Sequence, residues 1–288
     1  MSADVGSEEP FIPVVGRRRC TRKNVVRPKG PLPAQSVHVS TESFNRSVHK
    51  RLETANCELQ TWSGGSFLSD VIRKVMESVE ETNKVSIIIC YGLGSFGSDE
   101  GSLYQLALLQ RLSEACGCRV RLSDPVFCEA ETAFLERQLR FLVDRQSSSC
   151  CVAPEVGASE KWLAFMPHCG RPMYNNVLWA NWLPHRLGRL VLLGNALADV
   201  DAPRGCVEQL RHVAAAGRAM RHRPLLPFPP CSTAFNDLAV MTWQPPSAST
   251  TTAHCSSAQR ETDEFWTRSA QPPTYSEHFD GEIIVTSK

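Results

Sequence analysis

The sequence predicts an α/β fold: a mostly parallel sheet covered by helices on both faces, a three-layer sandwich flanked by disordered tails. Three observations carry this. Val85-Ser-Ile-Ile-Ile-Cys90 is a short, β-branched apolar run, the mark of a strand buried on both faces. Further strands are expected at Arg119-Val-Arg-Leu122, Lys161-Trp-Leu-Ala-Phe-Met166 and Leu190-Val-Leu-Leu193, and stretches of helical period separate them. Glycine and proline punctuate the junctions, as expected of βαβ units.

Taken in order, Ser40 to Leu59 has the length of a helix placed before the core. Ser66 to Asn83 carries Leu68, Val71, Ile72, Val75 and Val79 on one helical stripe. The strand at 85–90 follows. Asp99 is placed to cap a helix running to about Ala115, which Gly117 then ends. The strand at 119–122 stops at Asp124-Pro125, because proline cannot donate to a ladder. Glu129 to Val143 reads as a helix through Phe134, Leu135, Leu139 and Leu142, with a weak strand expected near Cys150–Val152. Pro167 closes the strand at 161–166, Pro172 to Trp182 reads as a helix, and Gly194-Asn195 closes the strand at 190–193. Val207 to Met220 is the last expected helix.

Composition bounds the function. The chain has 288 residues, with 31 basic against 30 acidic side chains, so its surface as a whole is not a nucleic-acid or anionic-membrane footprint. The first ten residues are polar and acidic, without the apolar stretch of a signal peptide, and no run is long enough to span a membrane. Twelve cysteines would suit a disulfide scaffold in a small secreted protein. Here several lie inside apolar runs, and Cys150-Cys151 and Cys116-Gly-Cys118 are poorly spaced for ordinary bridges. The expectation is a reducing compartment, the cytosol and also the nucleus, with mostly buried free thiols. Residues 1–59 read as a disordered basic arm, 60–243 as the α/β domain, and 244–288 as a low-complexity tail. Seven basic residues between Arg17 and Lys29 fit either a nuclear-localisation or RNA-contact patch or a merely solvated arm.

Ligands of such a sheet bind beyond the carboxyl ends of the strands. Gly92-x-Gly94-Ser95-x-Gly97 follows the first strand and precedes a helix, the spacing and context of a dinucleotide fingerprint and hence of a Rossmann-like fold. Asp124, 27 residues past Gly97, ends the second strand, where an acid would hold ribose hydroxyls. Against this, Asp99 and Glu100 compete with a phosphate for the helix start, so the glycines equally fit a packing turn. His168-Cys169 is placed for a nucleophile, a metal ligand or a haem ligand, or for a histidine and thiol that simply pack. Asn175, Asn176, Asn181, Asn195, Asn236 and Asp237 are further polar positions near strand ends. No Cys-x-x-Cys or His-x-x-x-His supports a metal site, and no nucleophile with a partner base can be named, so catalytic residues stay unassigned.

The order of motifs identifies a family. Cys90-Tyr-Gly-Leu-Gly-Ser-Phe96, Gln105-Leu-Ala107, Asp124-Pro-Val-Phe127, Met166-Pro-His-Cys-Gly170, Tyr174-Asn-Asn-Val-Leu-Trp-Ala-Asn181, Leu193-Gly-Asn195 and Phe235-Asn-Asp237 with Trp243 resemble the "sensitivity to red light reduced" family, most closely its animal SRR-like members. Glu282-Ile-Ile resembles the family's tail. The segments 143–160 and 200–232 depart from the pattern. The resemblance implies a regulatory, non-enzymatic protein acting in circadian clock input, clock-gene expression and control of haem biosynthesis through a protein partner or a small ligand, while the balanced charge and short apolar runs speak against a membrane or nucleic-acid partner. A competing expectation is an enzyme using a nucleotide-type cofactor, such as an adenosylmethionine-dependent transferase or an oxidoreductase. Haem or a nucleotide-type ligand is the corresponding cofactor.

Overall fold

The computed structural model describes residues 41–79, 84–145, 154–157, 159–197, 208–243, 266, 273 and 274. The basic arm at 17–29, the strand expected at 150–152 and nearly all of the tail beyond 243 lie outside the described residues.

Among the described residues seven strands form one sheet: β1 Lys84–Tyr91, β2 Arg119–Ser123, β3 Leu142–Val143, β4 Glu160–Met166, β5 Leu190–Asn195, β6 Met220–Pro224 and β7 Leu238–Trp243. Their spatial order is β3-β2-β1-β4-β5-β7-β6. The first five are parallel to their neighbours, while β7 is antiparallel to both β5 and β6. The chain is thus α/β with a mostly parallel sheet, as the alternating runs predict. Because the order reverses after β1, the ends of β1 and β4 form the switch point where such sheets place their sites.

Alternation along the strands sorts side chains to two faces. Ile88, Cys90, Leu122, Leu163, Phe165, Leu193 and Val240 meet α2 (Ser66–Met76), α3 (Glu100–Cys116) and α4 (Glu129–Arg137). Ile87, Ile89, Tyr91, Trp162, Met166, Leu192 and Met241 meet α5 (Arg171–Ala180) and α7 (Arg211–Ala219). Each fully buried aliphatic side chain contributes about 1.5–3 kcal/mol. This is why β1, covered on both sides, needs the unbroken Ile87-Ile88-Ile89 run.

Several boundaries differ from expectation. The helix α1, Thr41–Thr61, buries Val48, Leu52, Ala55 and Leu59, so ordered packing begins well before residue 60. The helix expected to reach Asn83 ends at Met76, where the Ser78 hydroxyl bonds back to the Lys74 carbonyl. The helix expected over 129–143 ends at Arg137. Arg140 adopts a left-handed φ of 59° and the Phe141 amide bonds the Leu135 carbonyl at 3.0 Å, turning the chain so that Leu142–Val143 pairs with β2. The helix expected to reach Met220 gives way there to β6. Among the described residues no helix is long and apolar enough to cross a membrane.

Candidate functional site

The glycine loop begins where β1 ends. Gly92 and Gly94 hold φ of 63° and 83°, a region that favours glycine. A Cβ on Gly94 would sit 2.6 Å from Ser102 Oγ, and one on Gly92 would sit 2.8 Å from Cys169 Sγ. The glycines therefore let the loop press against α3 and against the turn after β4.

The loop's donors are taken up within the chain. Asp124, nearly buried, accepts the Gly94 amide at 2.7 Å through Oδ2 and the Val126 amide at 2.9 Å through Oδ1. Burial is the largest influence on its carboxyl and holds it above the usual carboxylate range, with the two amide bonds opposing. Glu131, 1% exposed, accepts Ser95 Oγ at 2.7 Å, the Gly97 amide at 2.8 Å and the Cys128 amide at 3.0 Å. Asp99 caps α3 by accepting the Ser102 amide at 2.7 Å and its hydroxyl at 2.8 Å. Arg51 of α1 donates to the Gly97 carbonyl at 2.8 Å. The positions at which a pyrophosphate would meet the loop and helix start are occupied by Asp124, Glu131 and Asp99.

The second half of the site follows β4 and β5. His168, at φ 55°, has its amide bonded to Asn195 Oδ1 at 2.7 Å, while its Nε2 lies 3.1 Å from the Ala234 carbonyl. Gln105 Nε2 donates to that same carbonyl at 2.9 Å, and the buried Gln105 Oε1 has no hydrogen-bond partner. The Cys169 thiol donates to the Tyr91 carbonyl at 3.2 Å, and burial followed by the nearby Asp124 pushes it well up. A buried neutral thiol of this kind is a poor nucleophile. Tyr174 donates to the Met166 carbonyl and accepts the Asn195 amide at 2.6 Å, tying β4 to β5. Asn175 accepts the amides of His212 and Val213 at 3.1 and 3.3 Å and donates to the Gln209 carbonyl at 3.0 Å. Asn176 is buried in α5 and Asn181 caps that helix through the Val177 carbonyl. Asn236 and Asp237 are exposed, at the turn into β7.

The structure thus gathers Gly92, Gly94, Asp124, His168 and Cys169 at the switch point, with Asn195 beside them. It keeps Asn175 and Asn176 within the α5 layer and Asn236 and Asp237 on the surface. Glu131, Ser102 and Gln105 complete the site; the sequence alone does not single out the first two, and Gln105 stands there only within the Gln105-Leu-Ala107 motif. The spacing Cys128-x-x-Glu131 is a capping-box pattern with cysteine in the serine position, which is the signal for Glu131. Beside the loop lies a cavity of about 830 Å³ at the ends of β2 and β3, lined by Asp124, Phe127, Thr132, Ala133, Asp144 and Arg145 among others. Among the described residues no three His, Cys, Asp or Glu side chains form a metal cluster.

Fold and site together define an α/β protein whose switch-point loop is closed by its own carboxylates. The chain belongs to the SRR1 domain family, whose model matches residues 69–242. It is 30% identical over 225 residues to the SRR1-like protein of Mus musculus, covering 67% of this chain and 87% of that protein. It is 30% identical over 138 residues to Protein SENSITIVITY TO RED LIGHT REDUCED 1 of Arabidopsis thaliana, covering 42% of this chain and 46% of that protein. The SRR1-like protein of Drosophila melanogaster is 28% identical over 182 residues, covering 61% and 63% of the two chains. Among solved structures, human N-acetylserotonin methyltransferase in complex with SAM matches 75% of this chain and 61% of its own at 12% identity, with a TM-score of 0.32, too low to bear on function.

Proposed function

We propose that this chain is a regulatory protein that acts in circadian clock input and in control of haem biosynthesis by binding, not by catalysis. The single observation that carries the reading is the self-closed loop: the Gly94 and Gly97 amides and the start of α3 already bond to Asp124, Glu131 and Asp99. Chemistry at the switch point calls for donors and bases held ready for a substrate, and here they hold one another. The naming of the Arabidopsis relative for red-light sensitivity supports a light- and clock-linked role. The binding site in this reading is the cavity at the ends of β2 and β3, open to a small ligand or a partner's side chains.

The test is rescue in cells lacking the chain, reading the period of a clock reporter and the haem-synthesis transcripts. The wild type restores both. Ala133→Trp, which fills the cavity without touching the Asp124 or Glu131 bonds, restores neither while melting at the wild-type temperature. Unaltered clock period and haem transcripts in cells without the chain overturn the proposal.

A second reading, a nucleotide-cofactor enzyme, is favoured by one observation: Asp124 lines the cavity at the end of β2, where each carboxylate oxygen keeps a second lone pair for a hydroxyl. Melting of the full chain with NAD, adenosylmethionine, ATP or haem separates the two. A true ligand at 100 times its Kd adds about 2.7 kcal/mol. Stabilisation by adenosylmethionine or NAD, lost in Ala133→Trp, would favour the enzyme.

A further inference from the structure

The loop between α3 and β2 lies at the opposite end of the sheet from the candidate site and brings two thiols together. Cys116 is the last residue of α3, Gly117 takes a left-handed φ of 61° and ψ of 36°, and Cys118 leads into β2. The Gly117 amide bonds the Glu114 carbonyl at 3.3 Å and the Cys118 amide bonds the Ser113 carbonyl at 3.2 Å, the two bonds of a Schellman motif. Ser113 Oγ also donates to the Cys118 carbonyl at 2.8 Å. The backbone on both sides of Gly117 is therefore fixed, with one cysteine on each side of it. The Cys118 thiol donates toward the Cys116 sulfur, which keeps Cys116 below the usual thiol range and Cys118 above it.

Both thiols are partly accessible, unlike those of Cys90 and Cys169. Cys116 and Gly117 line a cavity of about 500 Å³. Its charged walls are Lys84, Arg119 and Arg121 on one side of the balance and Glu155 and Glu160 on the other, with Lys84 and Glu160 paired at 3.3 Å. Cys116 thus shares its cavity with three basic side chains, while the neighbouring Cys118 thiol is the largest influence lowering it.

We propose that Cys116 and Cys118, too closely spaced for an ordinary structural bridge, form instead a peroxide-responsive dithiol, a modification site at which a hydroperoxide converts the pair to a short, readily reduced intramolecular disulfide. The Cys116 thiolate attacks the terminal peroxide oxygen. The O–O bond breaks, Cys116 becomes a sulfenic acid, and the leaving oxide takes up a proton to depart as water or an alcohol. The Cys118 sulfur then attacks the Cys116 sulfur. The S–O bond breaks, and the hydroxide leaves as water with the Cys118 proton. In sum, two thiols lose two electrons and two protons, and the peroxide is reduced by the same two electrons. Cys116 is the attacking residue and Cys118 the resolving one.

The experiment treats the reduced full chain with hydrogen peroxide, blocks remaining thiols with an alkylating reagent and digests with trypsin. Cleavage after Arg111 and Arg119 releases Leu112–Arg119, whose only cysteines are 116 and 118. The expected product is this peptide lighter by two hydrogens and unlabelled, formed before the exposed Cys57 and Cys128 lose label, and restored to two labels by dithiothreitol. Cys118→Ser is expected to stop at a sulfenic acid on Cys116 that a dimedone probe captures. Cys116→Ser is expected to leave Cys118 at least tenfold slower to oxidise. A peptide that keeps both labels while Cys57 and Cys128 react overturns the proposal, as does a disulfide from either thiol to a third cysteine. Equal oxidation rates in the two serine variants overturn the assigned roles.

Discussion

Replacing Glu131 by alanine removes the acceptor for three donors at once: the Ser95 hydroxyl, the Gly97 amide and the Cys128 amide. The Ser95 hydroxyl has another partner within reach, Ser98 Oγ at 2.9 Å. The two amides have none nearby, because Glu131 is 1% exposed and Gly97 packs with Phe44 close to its Cα. At roughly 1–3 kcal/mol for each of the two amides left unpaired, and allowing water to reach the half-exposed Gly97 and the exposed Cys128, the loss lies in the lower half of the range, about 3 kcal/mol. For a folded unit of this size that lowers Tm by roughly 6–12 °C. Glu131→Gln keeps one oxygen but turns an amide N–H₂ toward a donor, and about half the loss remains. Glu129→Ala in the same helical turn, with its side chain exposed, controls for the helix dipole and changes stability by less than about 0.5 kcal/mol. Urea unfolding of the three variants measures this. A Glu131→Ala loss no larger than that of Glu129→Ala would refute the view that the carboxylate clamps the loop.

Gly94→Ala is expected to cost about 2–3 kcal/mol, from the positive φ and from a Cβ 2.6 Å from Ser102 Oγ. Adding Ser102→Ala recovers the steric part but not the backbone part, which a double-mutant cycle in urea reads directly; additive losses would contradict the contact. Asp124 is held above the usual carboxylate range, so the folded state binds its proton more tightly than the unfolded state does. Its contribution is fully present below pH 3.8 and is lost as pH rises through the folded value. Between pH 3.8 and neutrality the wild type should therefore lose stability relative to Asp124→Asn; parallel curves would count against it. Trp266 stands 6.1 Å from Trp182 and 5.4 Å from Trp243, ring centre to ring centre. Trp266→Ala should cost about 1–2 kcal/mol and red-shift the tryptophan emission as Trp182 and Trp243 meet water. An unchanged spectrum would detach residue 266 from that cluster.

The centre of the parallel half was legible because its doubly covered strands repeat one signal. Val85–Cys90, Trp162–Met166 and Leu190–Leu193 are apolar without alternation, as only doubly covered strands are. Asp99 as a cap and Gly117 as a left-handed stop were readable from local chemistry alone. The antiparallel end was not. Met220–Pro224 reads Met-Arg-His-Arg-Pro, an edge strand blunted by charge and proline, and its pairing with β7 is a long-range fact that no local period encodes. At the site, Asp124 stood out from its position after β2, but the sequence could not say that its partners would be the Gly94 and Val126 amides. Glu131 was hidden because a cysteine at 128 disguises the capping box.

The last strand among the described residues is not at the sheet's edge. β7, Leu238–Trp243, comes last in sequence among them yet wedges between β5 and β6. A ribosome that has delivered residues through 237 has made the other six described strands, but β5 still shows an unpaired row of amides and carbonyls, and β6 has no neighbour among the described residues. Until Trp243 clears the exit tunnel, the growing sheet presents an open ladder beside Val191 and Leu193, the kind of edge that recruits another chain. A premature stop before residue 238 would therefore do more than shorten the protein: it would leave that edge permanently open to aggregation.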